Sequence, residues 1–299
     1  ITKFEKVEGT DLNSGLVIRE EATGNEYVWV EVPKTRNVYK TSGLDITIFT
    51  PNEYESIEAD LKTYTKDFRN ETTYDDIYYE DSTSGWFKNE GEYNELKYKM
   101  LKSVYQNGGF WVGRYEAGIE KHRKSKEDST TIPLSRANLY PYNYVTRTQA
   151  KVLAEQVESG NFTSSLMFGV QWDLVLKYIE TKNATTQEKL KADSTTIGNY
   201  ANNLWNITNL LAKYLPEGKD DFIICPYQKK LGSNILLTTG ADKNFSLMNI
   251  YDLAGNVWEW TLEKAPDNGS PCAFRGGSYI YGGSDRPVQF RNYYGVLNG

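Results

Sequence analysis

The chain has 299 residues, and its 34 Lys and Arg against 40 Asp and Glu give a formal net charge of −6. This acidic balance argues against a general nucleic-acid binder, because such proteins normally carry a basic face. One histidine, His122, and two cysteines, Cys225 and Cys272, exclude multi-histidine metal sites, iron–sulfur clusters and four-cysteine zinc sites. The 23 tyrosines and an aromatic share of 14% are typical of recognition surfaces, so the composition favours a binding protein.

In the first part of the chain, apolar periodicity predicts a mixture of strands and helices. Alternating or short apolar runs predict strands at 15–18, 26–33 and 110–115. Helical spacing predicts helices at 52–64 and 92–106, the second ending at the Gly108-Gly109 pair. Between these helices, residues 68–89 are polar, acidic and aromatic, which predicts a long loop.

Helical patterns continue through the middle of the chain and then stop. Thr146 and Gln149 have the spacing of a capping box, which predicts a helix from 146 to about 158. Further helices are predicted at 166–182, with Trp172, Leu176 and Ile179 on one face, and at 202–215. After residue 220, short apolar runs broken by Gly, Asn and Ser predict an irregular, turn-rich region. The fold class expected is therefore α+β, and a single domain is the simplest organisation because no repeat or linker is visible.

The cysteines and the hydropathy say little about the compartment. We expect Cys225 and Cys272 to be partly buried thiols, and a disulfide between them is the less favoured alternative. No run of about eighteen apolar residues is present, so no membrane insertion is expected for this segment. A leader or anchor before Ile1 stays open.

The segment 249–261 carries a candidate cation site. Its two acidic side chains bracket two backbone carbonyls in an oxygen-rich set that could hold a structural Ca²⁺; the set is Asp252, Gly255, Val257 and Glu259. The alternative is that these carboxylates cap a turn or pair with an arginine such as Arg275. From the residues alone that alternative is favoured.

Two motifs carry a family resemblance. "DLAGNVWEWT" at 252–261 and "RGGSY" at 275–279 resemble the signature of the formylglycine-generating-enzyme family, a variant of the C-type lectin fold. Looser similarities lie at 27–33, 110–118, 145–156 and 168–179, in the family's order. The resemblance implies an α+β C-type lectin fold of the formylglycine-generating-enzyme type, irregular and loop-rich, with a few helices around short antiparallel sheets. It would cover a ligand-binding domain at 26–299, preceded by a lead-in segment at 1–25.

The residues argue against the family's enzymatic activity. The oxidase members use two cysteines shortly after the glycine pair, because copper–thiolate chemistry needs soft ligands. Here Tyr281 and Arg286 occupy those positions. Related members hold iron with several histidines, which one histidine cannot supply. We therefore expect a protein that is not an enzyme, and a sulfatase-modifying-type oxidase is the least favoured alternative.

A non-catalytic branch, the variable proteins of diversity-generating retroelements, is the more similar one. In that branch a segment after "RGG" is mutagenised at adenine-containing codons, and many residues of 275–299 are reachable from an Asn codon in this way. A terminal "GFR"-type strand of that branch is not visible before Gly299. The candidate ligand-binding residues in this variable region are Tyr279, Ile280, Tyr281, Ser284, Asp285, Arg286, Phe290, Asn292, Tyr293 and Tyr294.

The resemblance to variable proteins implies receptor recognition outside the cell. The setting would be a phage particle or a bacterial cell surface, and the partner a protein or glycan ligand on a target cell surface. No nucleic acid and no cofactor beyond the possible structural Ca²⁺ is expected, and an oligomer is possible. A fixed lectin-like domain that binds carbohydrate or protein is the main alternative.

Overall fold

The alternating runs near the start of the chain form a four-stranded antiparallel sheet, which we call the N-terminal sheet. The computed structural model describes residues 2–69, 73–80, 86–157 and 162–295. The sheet has the order β1-β2-β3-β4, with β1 at Phe4–Lys6, β2 at Val17–Glu20, β3 at Glu26–Glu31 and β4 at Gly109–Gly113. Both β1 and β2 lie within the predicted lead-in segment 1–25, so that segment shares its sheet with the domain.

The helices begin and end where local capping signals place them. Asn89 caps the N-terminus of one long helix by accepting from the Glu92 amide at 3.0 Å, and Gly108 ends it in the left-handed region at φ 76°. Thr146 and Gln149 form the predicted capping box. The helices are α1 Pro51–Tyr64, α2 Lys66–Arg69, α3 Glu90–Asn107, α4 Arg147–Glu155, α5 Gly169–Thr181 and α6 Gln187–Lys191. Residue 158, where the α4 pattern was predicted to end, lies outside the described residues.

The main hydrophobic core lies between the N-terminal sheet and α5. Val28 and Val30 of β3 point inward, and the predicted face of α5 is fully buried through Trp172, Leu176 and Ile179. The buried carboxylate of Asp76 accepts hydrogen bonds from the Gly169 and Val170 amides at 2.6 and 2.9 Å, which satisfies the first turn of α5. Asp76 comes from the predicted loop 68–89, whose residues 70–72 and 81–85 lie outside the described part of the chain.

The prediction of a helix at 202–215 is wrong, because this segment forms short strands around a second, smaller core. Trp205, Ile207, Leu237 and Phe245 are buried there. The short strands are β5 Gly118–Ile119, β6 Tyr140–Pro141, β7 Asn206–Ile207, β8 Lys213–Leu215, β9 Ile223–Ile224, β10 Tyr227–Gln228, β11 Leu236–Leu237, β12 Ser246–Leu247 and β13 Ile250–Tyr251, with a 3-10 turn at Lys243–Phe245. The pairs are β5 with β6, β7 with β10, β12 with β13, and the order β11-β8-β9.

The chain ends in a three-stranded antiparallel sheet, which we call the C-terminal sheet. Its order is β14-β15-β16, with β14 at Glu259–Lys264, β15 at Cys272–Arg275 and β16 at Arg291–Tyr294. Arg275 and Arg291 are paired across β15 and β16 and are both buried. The last strand thus begins directly after Phe290. Residues 296–299 of the predicted variable region lie outside the described residues.

The mixed α+β class is confirmed by these helices and small antiparallel sheets. Cys225 and Cys272 are free thiols, as predicted, but both are buried and not partly buried. In the described ranges no helix has both the length and the apolar character needed to cross a bilayer.

Candidate functional site

A tight turn between β13 and β14 is built from residues that tolerate left-handed backbone. Asp252, Gly255 and Asn256 have φ values of 58°, 76° and 53°. Glycine, asparagine and aspartate are the residue types that adopt this region most readily. The "DLAGN" sequence therefore specifies the turn locally.

Asn256 joins this turn to three distant segments. Its amide nitrogen donates to Glu116 Oε2 at 2.7 Å and to the Leu237 carbonyl at 3.2 Å. Its side-chain oxygen accepts from the Leu237 amide at 3.1 Å and from Asn199 Nδ2 at 3.0 Å. Asn256 is fully buried, so these hydrogen bonds are shielded from bulk solvent and stabilise the turn.

Three carboxyl groups with raised pKa values surround the turn. Burial, followed by the charge of Asp252, holds the pKa of Glu116 well above its ordinary value. Burial raises the pKa of Asp252 to about 7, and burial together with the charges of Glu116 and Asp252 raises that of Glu259. Asp252 Oδ2 accepts from the Gly240 amide at 2.6 Å, but Asp252 Oδ1 and Glu259 Oε2 are buried without a hydrogen-bond partner.

Arg275 does not neutralise these carboxyl groups, so the interpretation that it pairs with Asp252 or Glu259 is wrong. Its guanidinium donates to Asp173 Oδ1 at 2.9 Å, on the core side of the C-terminal sheet. The turn-capping part of that alternative fits Asp252, which accepts from Gly240. Two buried carboxylate oxygens near other carboxyl groups are suited to a cation. Across the described ranges, no three His, Cys, Asp or Glu side chains are arranged as metal ligands, so a Ca²⁺ here would depend on two carboxylates and the backbone carbonyls of Gly255 and Val257.

The Gly276-Gly277 pair brings β15 past the turn and into the next loop. Both glycines have left-handed backbone, with φ values of 95° and 83°. A Cβ at Gly276 would collide with Glu259 Oε2, and one at Gly277 would lie 2.5 Å from the Arg286 carbonyl. Only glycine permits both the backbone angles and these close approaches.

Residues 278–290, which we call the C-terminal loop, are held by backbone hydrogen bonds to residues 190–202. The Ala201 amide donates to the Tyr281 carbonyl at 2.8 Å, and the Ser194 amide donates to the Gly283 carbonyl at 3.0 Å. The Gln289 amide donates to the Leu190 carbonyl at 3.2 Å. Ser278, Val288 and Gln289 turn their side chains inward and are buried. The path of the loop is therefore set by its backbone and a few buried residues.

All ten predicted ligand-binding side chains reach solvent. Ile280, Tyr293 and Tyr294 are 48%, 40% and 51% exposed, Ser284 and Asp285 are exposed, and the other five are half-buried. Within the part of the chain that the structure describes, none of their side chains hydrogen-bonds to another segment. Arg286 donates to the carbonyl of its neighbour Asp285, and Asn292 accepts from the amide of its neighbour Tyr293.

The structure brings several of the predicted residues together over an aromatic surface. The Arg286 guanidinium lies 4.4 Å from the Phe290 ring centroid and 5.3 Å from that of Tyr281. Trp258 lies beneath them, 5.9 Å from Tyr281 and 6.3 Å from Phe290. These cation–π contacts hold the Arg286 guanidinium in place against the two rings.

The two tyrosines of β16 lie on opposite faces of the C-terminal sheet, because side chains alternate along a strand. Tyr294 lies on the same face as Phe274, with ring centroids 5.1 Å apart. Tyr293 is in register with Ala273 and points to the opposite face, where it lies 6.2 Å from Tyr74. Tyr279 is half-buried, and burial together with the neighbouring Tyr144 raises its pKa. Thus Tyr293 is not part of the surface formed by Tyr281, Arg286, Phe290 and Tyr294.

Three aromatic residues outside the predicted set form the floor of that surface. Phe274 packs against Trp258 and Trp260 with centroid distances of 4.8 and 5.2 Å, and we call these three residues the aromatic floor. Trp258 and Trp260 are both half-buried. Trp258 directly precedes β14 and Trp260 lies within it. Their spacing of two residues was a usable signal, because residues at this spacing in extended chain share one face.

Comparisons with known proteins return nothing for this chain: no family model, no curated protein and no solved structure matches it.

Proposed function

We propose that this protein is a ligand-binding, receptor-recognition protein built on a C-type lectin fold of the formylglycine-generating-enzyme type. Its recognition surface would comprise the exposed side chains of 279–294 above the aromatic floor. Display on a phage particle or bacterial cell surface, with a protein or glycan on a target cell as partner, belongs to the same proposal. The proposal rests on the resemblance of the two motifs and on the geometry of the C-terminal loop.

The observation that carries the proposal is that the C-terminal loop is held by its backbone hydrogen bonds and not by hydrogen bonds of its candidate side chains. The backbone of the C-terminal loop is bonded to residues 190–202, whereas the ten candidate side chains form no hydrogen bond to another described segment. A surface diversified by mutation needs this arrangement, because side chains can then change without removing a hydrogen bond that holds the loop. The exposed aromatic rings and Arg286 are the residue types that dominate binding energy at protein interfaces.

The sulfur chemistry of the chain supports a function other than oxidation. Tyr281 and Arg286 stand where the oxidase members carry cysteines, and Cys225 and Cys272 are 2% and 1% exposed. Burial raises the pKa of the Cys225 thiol to about 11, so it is not a thiolate at neutral pH. These features favour a binding role for the same fold.

The test is the distribution of natural variation in the gene. We expect sequencing of the gene from many members of its source population to show substitutions concentrated at the ten candidate codons. A reverse transcriptase gene beside a near-copy of the segment encoding 275–299, differing only at adenines, would accompany them. Variation spread evenly over exposed positions, with no such near-copy, would contradict diversification and favour a fixed lectin-like domain.

We further propose that Asp252, Gly255, Val257 and Glu259 bind a structural Ca²⁺. One carboxylate oxygen of Asp252 and one of Glu259 are buried without a hydrogen-bond partner, and the pKa values of both groups are raised. When both groups are ionised, the site therefore carries excess negative charge. Millimolar Ca²⁺ is expected to raise the melting temperature relative to EGTA, because binding to the native state alone adds to stability. The increase should be lost in Glu259→Gln and kept in the exposed control Glu21→Gln; an equal increase in both variants would contradict the site.

A further inference from the structure

A second cleft, separate from the C-terminal surface, opens beside the N-terminal sheet. It has a volume of about 720 Å³ and lies between β3, β4, α3 and residues 162–171. None of its lining residues belongs to the segment 252–295. Its size falls within the range of about 300–1,000 Å³ that is usual for small-ligand sites.

Two tryptophans form one wall of this cleft. Trp29 on β3 and Trp111 on β4 are directly opposite in register, with ring centroids 5.1 Å apart. They lie on the face away from the core, because the alternate residues Val28 and Val30 point inward. A Cβ at Gly109 would lie 2.6 Å from Trp29 Cζ2, so glycine at this position lets the indole lie against the strand. Trp111 is 41% exposed, which leaves an aromatic face open to a ligand.

Other residues of the lining supply uncharged hydrogen-bonding groups. Asn107 Nδ2 donates to Ser103 Oγ at 3.0 Å, so the Asn107 carbonyl oxygen can accept and the Ser103 hydroxyl can donate. Gln171 Oε1 accepts from the Phe168 amide at 3.0 Å, which leaves its amide N–H groups as donors. Among the described residues that line the cleft, Lys99 is the one charged residue, and Glu95 pairs with it at 3.2 Å.

We propose that this cleft binds a neutral oligosaccharide. A pyranose ring offers an apolar C–H face that packs on an indole and hydroxyl groups that pair with amides and hydroxyls. An anionic ligand would find no unpaired cation among the described lining residues. An aliphatic ligand would leave the Asn107, Ser103 and Gln171 groups buried without partners, which is unfavourable.

Calorimetric titration of the full chain with four neutral hexasaccharides tests the proposal. The probes are cellohexaose, maltohexaose, laminarihexaose and N-acetylchitohexaose, each at about 5 mM, which detects dissociation constants up to the millimolar range. At least one is expected to bind, and Trp111→Ala is expected to weaken its binding at least about tenfold. Asn107→Ala should weaken it as well, with far-UV circular dichroism unchanged in both variants.

Tyr281→Ala is the matched control at the C-terminal surface, and its binding of the same sugar should equal that of the unchanged protein. Absence of binding by all four sugars, or unchanged binding by Trp111→Ala, would overturn the proposal. Loss of binding in Tyr281→Ala but not in Trp111→Ala would place the sugar on the C-terminal surface, which would overturn this inference and support a glycan ligand for the function proposed above. If the cleft binds none of these sugars, the function proposed above is therefore not contradicted.

Discussion

At the scale of single residues, Asp76 shows how one buried carboxylate organises a helix from outside it. It is fully buried and accepts from the first two amides of α5. Amide donors favour the ionised form, but burial, followed by the carboxylates of Glu263 and Glu58, outweighs them and raises the pKa of Asp76 to about 6. The start of α5 is therefore coupled to pH.

This coupling predicts the pH dependence of stability. The native pKa of about 6 lies above the ordinary value of 3.8, so the native state favours the protonated acid. The associated stabilisation is complete below pH 3.8 and is lost as the pH rises through about 6. In Asp76→Asn this group does not titrate. Between pH 4 and pH 7 the free energy of unfolding of this variant should therefore fall by about 2 kcal/mol less than that of the unchanged protein.

Urea unfolding at a series of pH values measures the effect. Asp45→Asn is the control, because Asp45 is exposed. The same pH slope in both variants would contradict the role given to Asp76.

Residues such as Asn256 and Glu116 mark the limit of what sequence reasoning can find. The motif around Asn256 was recognised, and its tight turn follows from local residue preferences. Its partner Glu116 lies 140 positions away, and no local pattern indicates that the two side chains meet. Asp252 and Glu259 were predicted because they lie close together in the sequence. Glu116 was missed because it lies far from both.

At the scale of elements, the capped helices α3 and α4 were predicted near their observed starts, whereas the helix predicted at 202–215 does not form. Thr146 and Asn89 begin α4 and α3 through local hydrogen bonds that the sequence encodes. The apolar residues of 202–215 have helical spacing, but Leu204, Leu210 and Leu211 are 65%, 66% and 71% exposed, so that spacing does not describe a buried face. Asparagines at 202, 203, 206 and 209 favour turns instead, because their side chains compete for backbone hydrogen bonds.

The link from β15 to the C-terminal loop supplies a prediction about backbone geometry. Gly277→Ala should lower the free energy of unfolding by about 3 kcal/mol, because its Cβ would meet the Arg286 carbonyl in addition to the strained φ of 83°. Gly218→Ala isolates the backbone cost, since Gly218 has a similar φ of 70° and nothing within 4 Å of its Cβ position. We expect about 1 kcal/mol for that control in urea unfolding. Equal losses for the two variants would show that the close approach to Arg286 contributes nothing.

At the scale of the whole molecule, a buried ion network ties the last strand to the main core. Arg291 donates to Asp173 Oδ2 at 2.7 Å, to Glu263 Oε2 at 3.0 Å and to the Phe68 carbonyl at 3.0 Å. Arg69 and Arg275 also contact Asp173. These bonds connect α2, α5 and all three strands of the C-terminal sheet, so β16 is an integral part of the fold although its tyrosines are exposed.

Removal of Arg291 is therefore expected to affect the entire fold. Arg291→Met should lower the free energy of unfolding by about 3–5 kcal/mol, because Glu263 is left buried beside a carboxylate without its closest partner. Arg36→Met is the control, since Arg36 is exposed, and it should change stability by less than about 0.5 kcal/mol. Thermal and urea unfolding followed by circular dichroism give both values. A small loss in Arg291→Met, comparable with the control, would mean that the network is energetically redundant.

The attachment of the C-terminal loop to residues 190–202 has a consequence for protein engineering. These main-chain hydrogen bonds do not depend on the side chains of Ile280, Ser284 and Asp285, whereas a Cβ at Gly283 would lie 2.2 Å from the Thr195 nitrogen. A combinatorial library can therefore randomise Ile280, Ser284 and Asp285 while Ser278, Val288 and Gln289 are kept unchanged. The chain is in this respect a ready-made scaffold for selecting new affinity reagents.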